Sequence, residues 1–235
     1  MESNKLNKVF EDHVGIIYHN RMEDIIDDLE YDFILTDPPY NINYKYPGYD
    51  DNLSDEDYIN LFTHFQNKKC AIIHYPEAIC NYICEGIGPV DKIVSWCYSN
   101  NASFKAHRSI AFFNCKPNFN NVKQRYKDYK DKRVIKLVEN GSEGARSYDW
   151  FADIQLIKNT GDEKIKGFTN QIPIKLLERI LLLATKEGDK VIDPFAGTSS
   201  LYYACMNTGR KYIGIEQSKE HIQLFKDNYE KRIKK

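Results

Sequence analysis

Long apolar runs are missing from this chain. The longest clear one, residues 180–184, falls far short of the roughly 20 apolar residues that cross a bilayer, so no membrane partner is expected. Residues 1–5 lead into no apolar segment, so no signal peptide is expected. C-x-x-C pairs are also missing. The six cysteines stand at 70, 80, 84, 97, 115 and 205, several inside apolar runs, which suits reduced core thiols in a cytoplasmic protein. The six histidines show no metal-ligand spacing, so no metal is expected. There is no G-x-G-x-x-G and no phosphate-loop lysine, which disfavours a dinucleotide or ATP. Net charge is almost absent too, −1 at neutral pH, so the overall balance points to no polyanion.

What is present is an ordinary globular composition, 42% hydrophobic and 29% charged over 235 residues, enough for one sizeable α/β domain. Strand-like apolar runs at 14–18, 33–35, 70–75, 92–98, 109–115, 191–193 and 212–216 alternate with helical spacings at 21–29, 54–66, 76–85, 172–185, 199–207 and 218–232. Such alternation predicts a doubly wound, mostly parallel sheet with helices on both faces. Residues 1–235 read as a single domain, and the tyrosine-rich segment 41–52 reads as a mobile loop.

Residues 115–148 break the alternation and read as an insertion. Lys116, Lys123, Arg125, Lys127, Lys130, Lys132, Arg133 and Lys136 outnumber Asp128 and Asp131 there, with Phe119, Tyr126 and Tyr129 interleaved. Local basic charge with aromatics is a nucleic-acid footprint, and Lys123, Arg125, Lys127, Lys130, Lys132 and Arg133 are the candidate contacts. The plain alternative is a solvated charged face.

The most informative stretch is Asp37-Pro38-Pro39-Tyr40, which follows the apolar run Phe33-Ile34-Leu35. Two prolines end the strand and restrict the residues before them, giving a rigid loop at its carboxyl end. Ligands bind at such ends in open α/β sheets. A carboxylate, two carbonyls and a flat ring suit a planar ring with an exocyclic amino group: the acceptors hold the amine and Tyr40 stacks. The plain alternative is a strand-ending turn.

A second strand ends in Asp193-Pro194-Phe195-Ala196-Gly197-Thr198-Ser199. The small residues allow close approach of a ligand to the backbone, and the hydroxyls can cap the next helix. Glu216 ends the following strand at the separation where a carboxylate can hold ribose hydroxyls. Together these point to an adenosine-bearing cofactor.

With Asn170-Gln171-Ile172-Pro173 leading into the leucine-rich helix, these motifs resemble the amino-group DNA methyltransferases, which modify adenine N6 or cytosine N4 with S-adenosylmethionine. Asp37-Pro38-Pro39-Tyr40 is similar to their catalytic motif, and Asp193 to Thr198 to their cofactor loop. The catalytic motif comes first, with the candidate recognition region between the two, an order that resembles the β class. Residues 167–185 and Asp149-Trp150 also look like family segments. The family's usual Gly-Asp after the first strand is Asn20-Arg21 here, and its frequent His and Lys before the cofactor loop are Phe168 and Ile172.

The resemblance implies a Rossmann-like methyltransferase fold, with 115–148 as target-recognition insertion. It implies a double-stranded DNA substrate with its target base flipped out, and catalysis by Asp37, Pro38, Pro39 and Tyr40. It places Asp193, Phe195, Ala196, Gly197, Thr198, Ser199, Glu216, Asn170 and Gln171 around S-adenosylmethionine: Asp193 on its amine, Phe195 near its methionine part, Glu216 on its ribose. It further implies a homodimer and a cognate restriction endonuclease as partners. The first-position Asp leans toward adenine N6. The alternatives are a cytosine-N4 enzyme, an RNA adenine methyltransferase, and a catalytically silent nucleic-acid-binding relative.

Overall fold

The computed structural model describes residues 6–99 and 105–233. The N-terminal residues 1–5, on which the signal-peptide expectation rests, lie outside them. In chain order the strands are β1 Lys8–Glu11, β2 Gly15–His19, β3 Phe33–Thr36, β4 Lys45–Tyr46, β5 Tyr49–Asp50, β6 Cys70–His74, β7 Lys92–Cys97, β8 His107–Phe113, β9 Lys123–Gln124, β10 Ala145–Arg146, β11 Trp150–Phe151, β12 Lys190–Asp193 and β13 Lys211–Glu216. The helices are α1 Met22–Ile25, α2 Asp55–Thr63, α3 Pro76–Ala78, α4 Cys84–Ile87, α5 Lys132–Glu139, α6 Ile174–Ala184, α7 Ser200–Thr208 and α8 Lys219–Ile233. A π-helical segment, Ile79–Ile83, joins α3 to α4, so the helix expected from Pro76 continues in one body.

Nine of these strands form one sheet in the order β1-β2-β13-β12-β3-β6-β8-β7-β11. β2, β13, β12, β3 and β6 are mutually parallel, and β8 runs antiparallel between β6 and β7. The expected mostly parallel, doubly wound sheet is therefore what forms, a Rossmann-like arrangement. The order also contains a reversal. From β3 the chain steps outward to β6, whereas from β12 it steps the other way to β13. The crevice between the carboxyl ends of β3 and β12 is thus the topological switch point, where open α/β sheets bind ligands.

The strand sequences show why both faces are covered. Phe33 and Leu35 of β3, Ala71 and Ile73 of β6, and Val191 of β12 join one buried layer with Leu176, Leu177, Ile180 and Leu181 of α6. The alternate residues Ile34, Cys70, Ile72 and Ile192 join the opposite layer with Tyr58 and Phe62 of α2 and Ile79 and Ile83. Period-two side-chain direction splits each run between the two layers. Ser54 caps α2 by accepting a hydrogen bond from the Asp57 N–H at 3.1 Å, and acids fill the first turn.

Two regions depart from expectation. Residues 41–52, expected as a mobile loop, carry a short hairpin. Asp51, 2% exposed, accepts from the N–H groups of Asn41, Ile42 and Tyr44 and folds the segment into the β4–β5 hairpin. The insertion is a two-stranded ribbon, β9 with β10, carrying α5 at its far end. Its base is tied to α6 through Asn118 N–H to the Leu183 carbonyl and the Asn121 amide to the Leu182 carbonyl.

Close strand packing makes one glycine indispensable. A Cβ at Gly15 would stand 2.4 Å from the Tyr212 carbonyl oxygen on the paired strand. We expect Gly15→Ala to destabilise the fold by about 1–3 kcal/mol, as overpacked substitutions do, read as a lower urea midpoint.

Candidate functional site

The two motifs meet at the switch point. The Thr36 hydroxyl, one residue before Asp37, donates to Asp193 Oδ1 at 2.7 Å. Register fixes this meeting, because β3 and β12 pair in parallel with Ile34 beside Ile192. A cavity of about 790 Å³, partly open to solvent, lies over the crevice. Asp37, Pro38, Pro39, Tyr40, Phe168, Asn170, Phe195, Gly197 and Glu216 line it, joined by Tyr46 and Tyr49 of the hairpin. A smaller adjoining cavity adds Thr36, Asp193, Ala196 and Thr198.

The Asp37 loop is held from several sides. Tyr40 Oη donates to Asp37 Oδ1 at 2.6 Å, and Arg108 Nη1 stands 3.9 Å from Asp37 Oδ2. Burial pushes the Asp37 carboxyl up to about 6, against the opposing pull of Arg108 and the Tyr40 hydroxyl. Behind the loop runs a hydrogen-bond chain. The Tyr75 N–H donates to His74 Nδ1 at 2.8 Å, so the second ring nitrogen carries the proton. Nε2–H then donates to Tyr58 Oη at 3.0 Å, and the Tyr58 hydroxyl donates to the Pro39 carbonyl at 2.7 Å. Burial holds His74 neutral, its pKa lowered to about 3. The Tyr40 ring lies against His74, with centroids 4.3 Å apart and planes at 39°.

Across the crevice, Asp193 is 8% exposed and accepts from Thr36 and from the Phe195 N–H. Burial pushes its carboxyl up to about 7, and the nearby Asp37 and Glu216 add to the rise. Glu216 accepts from the Gly197 N–H at 2.7 Å and the Ser218 N–H at 2.7 Å, so the ribose acid of the sequence reading also shapes the glycine turn. Gly197 has φ 52°, and a Cβ there would come 2.9 Å from the Phe168 ring. The turn therefore requires glycine both for its backbone and for its space.

The donor set tells what the cavity accepts. Carboxylates gather there, and no Lys or Arg is among the residues lining either cavity. Glu23, which also lines it, is paired with Arg21 at 2.8 Å, while Asp193 has no cationic partner among the described ion pairs. Such a cavity favours a ligand with positive charge and rejects a phosphate. The Thr198 hydroxyl is buried without a hydrogen-bond partner, an orphan polar group beside the Gly197 turn. An adenosyl sulfonium bearing an ammonium matches these features.

Most residues named from the sequence converge here, but two cofactor candidates do not. Gln171 lines neither cavity. Its amide is spent within its own segment, accepting from the Ile165 N–H and donating to the Glu163 carbonyl. Ser199 is buried at the start of α7 with φ 55° and also lines neither cavity. Conversely, Glu23, His221, Tyr46 and Tyr49 line the main cavity without having been singled out, and Arg108 approaches Asp37. Glu23 supplies a carboxylate near Asn20, where the family's Gly-Asp is absent. Lys123, Arg125, Lys127, Lys130, Lys132 and Arg133 are all exposed on the insertion. Arg146 pairs beside Lys123, and Lys127 stands 5.6 Å over Tyr148, which stacks on exposed Trp150.

A doubly wound sheet with a carboxylate-lined cavity at its switch point is the arrangement expected of the S-adenosylmethionine-dependent methyltransferase class that the motifs resemble. Residues 61–227 match the DNA methylase family model, which covers N6 and N4 enzymes. The Type II methyltransferase M.HpaI of Haemophilus parainfluenzae is 28% identical over 222 residues, 83% of this chain and 67% of that protein. Other Type II methyltransferases match over 17% to 34% of their own lengths. Among solved structures, the cytosine-N4-specific PvuII DNA methyltransferase superposes with a TM-score of 0.68 at 14% identity, covering 95% of this chain and 89% of that one. The M1.HpyAVI–SAM complex gives 0.60 at 22% identity, covering 91% and 98%. The chain belongs to the DNA methylase family, within the β class of amino DNA methyltransferases, whose cofactor is S-adenosylmethionine.

Asp193→Asn leaves the fold intact and removes the charge that would face the cofactor's amine. We expect S-adenosylmethionine affinity to fall by on the order of tenfold or more, by the cost of breaking a buried charge pair, measured by calorimetry.

Proposed function

We propose that this chain methylates the N6 amine of adenine in double-stranded DNA, at a specific site, after flipping the base into the Asp37 crevice. The observation that carries this reading is the placement of Asp37-Pro38-Pro39-Tyr40 across the switch point from Asp193, with Thr36 bonded to Asp193. It sets an amine acceptor beside a cavity suited to a cationic donor. Adenine over cytosine rests on the first-position Asp of the tetrapeptide, through its family resemblance.

An aromatic amine is a weak nucleophile because its lone pair is delocalised into the ring. Asp37 Oδ2 accepts one amine proton and favours a more tetrahedral nitrogen. The Pro39 carbonyl already holds the Tyr58 hydroxyl, so the Pro38 carbonyl is assigned the second proton. Bound S-adenosylmethionine supplies the methyl group on a good leaving group. Asp193, Glu216, Phe195, Asn170 and the orphan Thr198 hydroxyl would hold it, and the Thr36–Asp193 bond keeps that half in line with Asp37. The Asp37 carboxylate would stabilise the positive charge that grows on the nitrogen. The proton then leaves to solvent or to Asp37.

A base within a duplex cannot reach this crevice, so it must leave the stack at a cost of a few kcal/mol. Stacking on Tyr40 returns about 1–3 kcal/mol. The exposed cations of the insertion would grip phosphates at 115–148. A homodimer, a cognate restriction endonuclease and a cytoplasmic setting complete the proposed context. No helix among the described residues is long and apolar enough to cross a membrane.

Long-read sequencing of DNA from cells producing the protein tests the reading. N6-methyladenine in one fixed context is the expected result. N4-methylcytosine would turn the assignment to the other amine, and unmodified DNA would end it. In vitro, Asp37→Ala should abolish tritiated methyl transfer and leave cofactor affinity within about twofold, since the hydrogen bonds that hold Asp193 come from Thr36 and the Phe195 N–H. Replacing Lys127, Lys130 and Arg133 by Ala should weaken DNA binding and reduce the slope of log affinity against log salt by up to about 2–3. An unchanged slope removes the insertion from the interface.

A further inference from the structure

Arg108 is a buried cation that the amine-acceptor scheme leaves without a role. It lies near the start of β8, the antiparallel strand, and is 5% exposed. Because β8 runs against its neighbours, its first residues sit at the edge where β3 and β6 end. The guanidinium is enclosed by rings: its carbon is 5.2 Å from the Tyr40 centroid, 5.6 Å from Trp96, and 6.0 Å from both Tyr75 and Tyr98. Aromatic faces attract a desolvated cation but accept no directed hydrogen bond from it. Its Nε–H has no hydrogen-bond partner. The carboxylate it faces is Asp37, at 3.9 Å, too far for a hydrogen bond and near enough for strong attraction in a buried site.

We propose that Arg108 is a positioning residue for methyl transfer: it keeps the Asp37 carboxylate charged and turned toward the incoming amine. This rests on the reading of Asp37 as the amine acceptor. Tyr40 pins Oδ1 and Arg108 draws Oδ2, so the carboxylate is restrained from both ends while Oδ2 keeps a lone pair for the amine. The other groups around Asp37 do not supply this charge. Tyr46 of the hairpin, Tyr58 of α2 and Tyr98 after β7 feel the Asp37 charge and hold their protons. Asp193 of β12 is itself raised by the Asp37 charge and brings no positive charge to the site. His74 of β6 is neutral, and Lys105 stands 4.0 Å over the Tyr75 ring. Burial already pushes Asp37 up to about 6 with Arg108 in place, so removing the cation raises it further.

The test is single-turnover methylation of duplex DNA across pH, with saturating S-adenosylmethionine, for the wild type, Arg108→Met and Arg108→Lys. Cofactor affinity by calorimetry reports folding and should be unchanged in both variants. The wild-type rate should fall below a midpoint near 6, as Asp37 protonates. In Arg108→Met that midpoint should move up by about one pH unit or more, and Arg108→Lys should return it to within about half a unit of wild type, as loss and restoration of a neighbouring charge require. A rate lowered equally at every pH, with the midpoint unmoved, overturns the proposal. Should Arg108→Met be inactive throughout, ¹³C-carboxyl NMR of Asp37 in the cofactor-bound protein decides: a raised midpoint supports the role and an unmoved one overturns it. A wild type that methylates no DNA would sink the functional reading instead, while the carboxyl titration would still test Arg108.

Discussion

The hydrogen bond from Thr36 to Asp193 joins the ends of two strands that lie 157 residues apart in sequence. In the proposed reaction the Asp37 side would receive the amine and the Asp193 side would face the methyl donor. Parallel pairing of β3 with β12 brings their carboxyl ends side by side, and the hydroxyl fixes how the two loops face each other. Alignment of donor and acceptor supplies much of the rate in a displacement that needs no covalent nucleophile. The rest of the sheet serves this contact by burying both strands on both faces.

The same crevice concentrates negative charge at some expense to the unliganded fold. Asp37 and Asp193 are both pushed upward by burial, and the Asp37 charge adds to the rise at Asp193. A cationic ligand relieves the Asp193 side. On the Asp37 side the protein carries its own cation in Arg108, caged by rings. The asymmetry fits the chemistry: a cofactor brings charge with it, whereas a neutral base does not.

Motifs contiguous in sequence are legible from the sequence alone. Asp37 to Tyr40 and Asp193 to Thr198 announce themselves because proline, glycine and strand-ending acids act on their immediate neighbours. The alternation of elements is legible for the same local reason. Gln171 and Ser199 line neither cavity, because adjacency to a motif says nothing of which way a side chain is spent: Gln171 closes its own loop. The chain from Tyr75 through His74 and Tyr58 to Pro39, and the approach of Arg108 to Asp37, depend on sheet order. That order places β8 beside β6, and spacing along the sequence carries no trace of it. The hairpin at 41–52 is hidden differently. Its polar, tyrosine-rich composition reads as loop, and its structure rests on one buried carboxylate, Asp51, that only the fold reveals.

That hairpin also reaches across the cavity. Gln217 donates to the Gly48 carbonyl at 2.9 Å, and the Tyr44 and Thr169 hydroxyls meet at 2.7 Å. A segment already folded by Asp51 has surrendered its conformational freedom before any ligand arrives. Ligand binding against such a wall carries little ordering entropy. The expected calorimetric signature is that of a rigid receptor, with heat-capacity change set by the apolar surface covered and not by folding of the hairpin.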